Sequence, residues 1–246
     1  MTNFLSKRAK RERYFFDDLA QKGDIHYFWG WKTKIGQYRH NLRAQIILSQ
    51  VNQNMRILEL GCYVGELTKK IAQSKAHIFA IDISSQSISM ANQRIKLKNI
   101  HFLVDNIENS TFKNNFFDAV YGNGILHHTN LRLSLPEIKR ILKPEGKFIF
   151  FEPNILNPEI FLERKIPILR KLSHSSPDET AFIRWRLKKT LQDAGFINVR
   201  VKPFDFLYPA FPSFLLSALK IVDKIIINIP LLREFSGSLI VTAEKP

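Results

Sequence analysis

Residues 57–68 read ILELGCYVGELT. An apolar run closes on an acid, two glycines frame three residues, and a helical pattern follows. RILEL (56–60) supplies a strand, GCYVG (61–65) a turn and ELTKKIA (66–72) the start of a helix. In open α/β sheets ligands bind beyond the carboxyl ends of the strands, at a turn of this kind. The next strand, HIFAI (77–81), runs into Asp82, 21 residues after Gly61. A carboxylate there can accept hydrogen bonds from two ribose hydroxyls. Strand, turn and acid together indicate a pocket for a ribose-bearing cofactor.

The same loop narrows the choice of cofactor. A dinucleotide site wants G-x-G-x-x-G, whose second glycine admits the pyrophosphate. Here Tyr63 holds that position and Val64 offers no relief, which disfavours a nicotinamide oxidoreductase. A P-loop would need Gly-Lys-Ser/Thr after the turn, and Gly65 is followed by Glu66-Leu67. A nucleoside without phosphates asks only for close approach at Gly61 and Gly65, with acids in place of a phosphate nest. S-adenosyl-L-methionine is such a ligand, cationic at its sulfonium and ammonium, and Glu59 at the strand end suits that positive end.

Outward from the loop, short apolar runs recur at 56–60, 77–81, 100–104, 118–122 and 147–151, with helical patterns between them at 66–74, 85–97 and 131–142. Buried parallel strands read as near-continuous apolar runs, so the alternation predicts a doubly wound α/β sheet. Helices are expected at 7–21 and 35–51, separated by HYFWGWK with a turn at Gly30, and again at 178–194, closed by Gly195. Strands return at 197–202 and 238–243. The reading divides the chain into a helical cap (1–51), a cofactor-binding core (52–153) and substrate-side helices with closing strands (154–246).

Composition sets outer bounds. The 246 residues suffice for one large α/β domain or two small ones. A single cysteine, Cys62, excludes an internal disulfide and a multi-cysteine zinc site, and no histidine–carboxylate spacing suggests a metal. MTNFLSKRAKRER lacks the apolar core of a signal peptide, and no stretch of about 18 apolar residues could span a bilayer. A cytoplasmic enzyme of bacterial type is expected. The net charge of +15 favours anionic partners, and Lys7, Arg8, Lys10, Arg11 and Arg13 form its densest cluster. Nucleic acid is not the expected partner, because neither interleaved aromatics nor a reading helix accompanies the charge.

The ordered motifs resemble the class I S-adenosylmethionine-dependent methyltransferases, within the group that includes the ubiquinone and menaquinone methyltransferases. ILELGCYVGELT is similar to their glycine loop, AIDIS (80–84) to the ribose-binding strand end, and FLVDNIENSTF (102–112) to the adenine-side segment. FDAVYGNGILHHT (117–129) and EIKRILKPEGKFIFFEPN (137–154) resemble the fourth-strand motif and the helix, turn and strand after it. The resemblance implies a Rossmann-like seven-stranded sheet with its last strand antiparallel, an N-terminal helical cap and a C-terminal helical insertion. It implies cofactor contacts at Glu59, Gly61, Cys62, Tyr63, Gly65, Asp82 and Ile83. Asp105 would take the adenine amine, the Asn106 N–H would face the ring, and Asn123 and Gly124 would lie near the methionine end. Ordinary turn chemistry competes for Asp105 and Asn106, and a small apolar filler is the competing role for Cys62.

The family's loop has a glycine where this chain has Tyr63. Either the ring points away from the ligand or the site has decayed; the matches at Glu59, Gly61, Gly65 and Asp82 favour the first. If the acceptor is a hydroxyl, its proton must be removed, and His128 or His127, just past the fourth strand, is placed for that. Tyr14, Phe15 and Tyr27 are candidate substrate walls. The insertion at 204–232 holds a helix with one polar stripe (Ser213, Ser217, Lys220, Lys224, Asn228) on an apolar circumference. Such a helix packs in the core or a dimer, lies in a membrane interface or covers a lipophilic substrate. A small-molecule or lipid-linked acceptor is expected, methylated at oxygen. An RNA or protein methyltransferase and a non-catalytic scaffold are the alternatives.

Overall fold

The computed structural model describes residues 5–22, 30–173, 175–176, 178–209 and 211–246. The apolar runs become strands that pair edge to edge: β1 (Arg56–Leu60), β2 (His77–Asp82), β3 (Ile100–Val104), β4 (Phe117–Asn123), β5 (Leu142–Pro153), β6 (Ile197–Phe204) and β7 (Ser238–Glu244). Their order is β3-β2-β1-β4-β5-β7-β6. β1 to β5 pair in parallel and β7 runs antiparallel between β5 and β6, as expected of the family. The order reverses between β1 and β4, so the carboxyl ends of these two strands open a crevice.

Helices cover both faces because side chains alternate along each strand. Leu58, Leu60, Val120 and Phe148 join Leu135, Ile138 and Ile141 of α5 (Leu131–Ile141) and Leu187 and Leu191 of α8 (Arg184–Asp193). Ile57, Ile78, Ala119 and Ile149 pack on the other face. Their partners come from α2 (Lys34–Leu48), α3 (Glu66–Ile71) and α4 (Ser85–Arg94).

α1 (Lys7–Gln21) begins at the N-cap Ser6, whose hydroxyl accepts from the Ala9 N–H, and it lies across the carboxyl end of the sheet. Asp17 accepts from the Ser84 hydroxyl at 2.6 Å, and Leu19 and Ala20 pack on Tyr63 and Val64. Two members of the basic cluster dock the helix and a third pairs within it. Arg8 donates to the carbonyl oxygens of His127 and Asp178, Arg11 pairs with Asp178 at 2.5 Å, and Arg13 faces Asp17 at 3.6 Å.

Two expectations change here. The helix expected at 178–194 begins only at Arg184, because Phe182 is first drawn into a bridge with Asn154 beyond β5. The insertion helix, α9 (Leu216–Ile226), contributes no buried residue, so it is not a core helix. Its Asp223 accepts from the Phe206 N–H and its Lys220 lies over the Tyr38 ring, so part of the polar stripe turns inward. Ile221, Val222 and Ile225 are left exposed.

Gly65 has φ 84, and a Cβ there would come within 2.7 Å of Ile95 Cδ1 and 3.0 Å of the Phe102 ring. Gly65→Ala should therefore lower unfolding stability by about 1–3 kcal/mol, combining a left-handed residue with overpacking. Urea denaturation of both proteins measures this.

Candidate functional site

The loop between β1 and α3 is held in a left-handed path, with φ 65 at Gly61, 47 at Tyr63 and 84 at Gly65. The Cys62 N–H donates to the Ile81 carbonyl at 3.0 Å, which ties the loop to β2. The Tyr63 N–H donates to Asp82 Oδ2 at 2.9 Å, while Oδ1 accepts from the Ser84 N–H at 2.9 Å. A left-handed φ costs a non-glycine residue about 1–2 kcal/mol. The Tyr63 ring offsets that strain by burial against Leu19 and Ala20 of α1. The tyrosine thus sits in the wall beneath the cap and leaves the crevice open.

That crevice is a cavity of about 350 Å³. It brings together Gly61, Tyr63, Asp82, Ile83, Asp105 and Asn106 at one end and Asn123, Gly124, His127 and His128 in the middle. The Asp82 carboxyl is pushed up to about 6 by burial, although the Ser84 and Tyr63 amides oppose the shift. The Asn106 side-chain amide is buried with no hydrogen-bond partner on Nδ2, while its Oδ1 accepts from the Glu108 N–H. A Cβ on Gly124 would meet only His127 Cε1, at 3.6 Å, so the backbone there is open to a ligand. An acceptor pair at Asp82, an orphaned donor at Asn106 and an unobstructed backbone at Gly124 fit a nucleoside that carries no phosphate.

Several expected contacts lie elsewhere. Glu59 sits under the loop, accepts from the Tyr121 hydroxyl at 3.0 Å, and is raised to about 8 by burial. It supports the turn and does not line the cavity wall. The Cys62 thiol belongs to the apolar core, the filler role, and Gly65 serves packing. Asp105 reaches the cavity, but its Oδ2 accepts from the Ser110 and Thr111 side chains, so turn chemistry engages it as well. Tyr14 is 79% exposed on the outer face of α1, which removes it as a pocket wall. Phe15 packs against Phe16, and it is Phe16 that lines the cavity and meets His128 edge-on. Tyr27 lies outside the described residues.

The two histidines part ways chemically. His127 is buried, which alone would lower its pKa. Hydrogen bonding to Glu152 (Nδ1, 2.7 Å) and the nearby Glu179 carboxylate raise it instead, to about 9. It is an imidazolium at neutral pH and cannot serve as a base. His128 is lowered by burial and by the His127 charge, and its Nδ1 meets Glu12 of α1 at 3.1 Å. In the neutral ring Nδ1–H donates to Glu12, which leaves the lone pair on Nε2. Among the described residues His127, His128 and Glu179 bring ligand atoms within 4.8 Å of one another, a grouping their sequence positions do not reveal. Arg164 holds Glu179 at 2.6 Å, so the cluster closes on itself as an ion network.

Glu152 was the residue least visible in the sequence. It accepts from the N–H groups of Ile125, Leu126 and His127, and so shapes the turn after β4. Its only signal is an acid inside the apolar run KFIFFEP. Glu12 stands among arginines in the same inconspicuous way.

Residues 58–150 match the family described as a methyltransferase domain. An uncharacterized protein of Methanocaldococcus jannaschii is 32% identical over 57% of this chain and 51% of its own length. A demethylmenaquinone methyltransferase of Lactiplantibacillus plantarum is 24% identical over 70% of this chain and 83% of its own. The segment 58–150 is thus similar to methyltransferase domains, and the sheet order is that of the Rossmann-like methyltransferase fold. Among solved structures, a Haemonchus contortus phosphoethanolamine N-methyltransferase with S-adenosylhomocysteine shares the fold. Its TM-score is 0.69 at 16% identity, over 100% of this chain and 61% of that one. The chain spans about half the length of the archaeal relative.

Ribose hydroxyls bonded to Asp82 would favour its ionised form and lower its pKa from about 6 toward the ordinary carboxylate range. Affinity for S-adenosylmethionine should therefore rise with pH, being about tenfold weaker at pH 5 than at pH 7. Calorimetry across that range checks this, with Asp82→Asn expected to flatten the profile.

Proposed function

We propose that this chain transfers the sulfonium methyl group of S-adenosylmethionine to an oxygen of a small-molecule or lipid-linked acceptor. The observation that carries the reading is the neutral His128, held by Glu12 in the wall of a cavity whose other end suits an adenosyl group. When bound, S-adenosylmethionine supplies an electrophilic methyl group that needs only a nucleophile aligned behind it. Asp82 and Asn106 hold the nucleoside end, and the Gly61 and Gly124 backbones allow close approach. Glu152 fixes the turn on which His128 sits. Glu12 orients the imidazole so that Nε2 can take the acceptor's proton, and α1 keeps water from the cavity.

The RNA-directed alternative loses its main support, because Arg8 and Arg11 are engaged within the protein. A membrane-facing reading is favoured by a separate observation. Phe214 (83% exposed), Ile221, Ile225 and Leu231 (79%) project from α9 and its flanks, beside Lys224. No helix among the described residues is long and apolar enough to cross a membrane. An amphipathic element of this kind, in a chain of charge +15, suits the surface of an anionic bilayer.

With a hydroxyl acceptor, His128→Ala should cut kcat by about 10²–10⁴ and leave cofactor affinity unchanged. In the parent protein kcat should rise with pH through a point below the ordinary histidine value, as His128 loses its proton. S-adenosylhomocysteine release from a panel of quinone precursors, sugars and lipid-linked alcohols provides the assay; an undiminished variant rules out base catalysis by His128. Sedimentation with phosphatidylglycerol vesicles tests the surface. Phe214→Ser with Leu231→Ser should weaken association by about tenfold or more, and equal sedimentation would dismiss this face.

A further inference from the structure

Arg39 and Arg43 stand four residues apart on one face of α2, and both line the cavity. Their side chains are 17% and 7% exposed. Among the described residues one carboxylate lies within ion-pairing distance of them. Asp205 is 3.2 Å from Arg39 Nε through Oδ1 and 3.0 Å from Arg43 Nη2 through Oδ2. The Ser238 hydroxyl accepts from both guanidinium groups, at 3.3 and 2.8 Å. Two fixed positive charges therefore share one negative charge, and the buried Nε of Arg43 has no hydrogen-bond partner. Glu159 and Asp223 also feel Arg39, but neither lines the cavity, and Asp223 is committed to the Phe206 amide.

A guanidinium does not shed its proton when buried, and an uncompensated buried charge costs several kcal/mol. A second anion would supply the missing charge and accept the free Nε–H. The place for it lies above the β5–β7 pair, where Pro153 faces Ser238 across the ladder. Asp82 ends β2, three strands from β5 and four from β7 in the sheet order, or roughly 14–19 Å at about 4.8 Å per strand. His128 follows β4, between the two. The arginine end is thus the part of the cavity that an adenosyl group at Asp82 leaves over.

We infer that Arg39 and Arg43 form an anion subsite that receives a carboxylate or phosphate of the methyl acceptor, with the reacting oxygen lying nearer His128. The acceptor class narrows to acidic molecules: hydroxy acids or phosphorylated alcohols. This inference rests on the methyltransferase reading for what the anion belongs to, though not for the existence of the subsite.

The test uses the full chain and two probes, inorganic phosphate and benzoate, followed by intrinsic tryptophan fluorescence and calorimetry in the presence and absence of S-adenosylmethionine. Binding of either probe at millimolar levels, weakened at least about tenfold in Arg39→Gln, is expected. Phosphate alone would identify a phosphoryl source, and benzoate alone a carboxylate. The variant should bind S-adenosylmethionine as the parent does and melt at the same or a higher temperature, since it removes surplus charge. No binding of either probe up to about 50 mM, or a lower melting temperature in Arg39→Gln with probe affinity intact, would overturn the subsite. Failure of S-adenosylmethionine to bind while phosphate or benzoate still does would instead defeat the methyltransferase reading alone.

Discussion

One carboxylate connects the parts of this site. Asp82 ends β2 and bonds two backbone amides with its two oxygens, Tyr63 in the glycine turn and Ser84 at the start of α4. Neither partner is a cation, so the acid is desolvated without a neutralising charge and its pKa is raised to about 6. The turn is consequently held by a group that loses its charge near pH 6, well above the ordinary aspartate range. Ribose hydroxyls are suited to stabilise it further, since they donate to a carboxylate that two amides leave with lone pairs to spare. The geometry that shapes the loop also prepares the site for a nucleoside.

The second organising feature is the roof. α1 supplies Glu12 to His128, Asp17 to Ser84 and an apolar seat for Tyr63. A run that reads as a basic tract is partly docking hardware, because arginines aligned on a helix can reach backbone carbonyls as readily as phosphates. Arg8 and Arg11 fasten the helix to the turn after β4 and to the segment before α8. Elsewhere, α9 presents aliphatic side chains outward, and its inward groups include the polar Lys220 and Asp223.

Much of the fold was legible because local patterns and global layout agree. RILEL and IHFLV coincide with β1 and β3, and the first helix occupies the expected residues. Asp82, Asn106, Gly124 and His128 could be singled out because each sits at a strand end, where topology fixes what it faces. Tyr14 could not be judged correctly from its spacing, since a two-residue step along α1 places Phe16 inward in its stead. Glu152, Glu179 and the Arg39–Arg43 pair were hidden for another reason. Their meaning depends on partners far along the chain, and no local pattern announces a shared Asp205. For α9, periodicity revealed the stripe without telling which side faces the domain.

The roof has a temporal side as well. Glu12 reaches across 116 residues to His128 and 164 to Ser176, and Arg11 across 167 to Asp178. Contacts so distant along the chain form late, after the loops between them have closed. During synthesis α1 is made long before any group it grips, so its moorings close only after Asp178 has been added. Five basic and three acidic side chains along Lys7–Gln21 keep the segment polar in that interval.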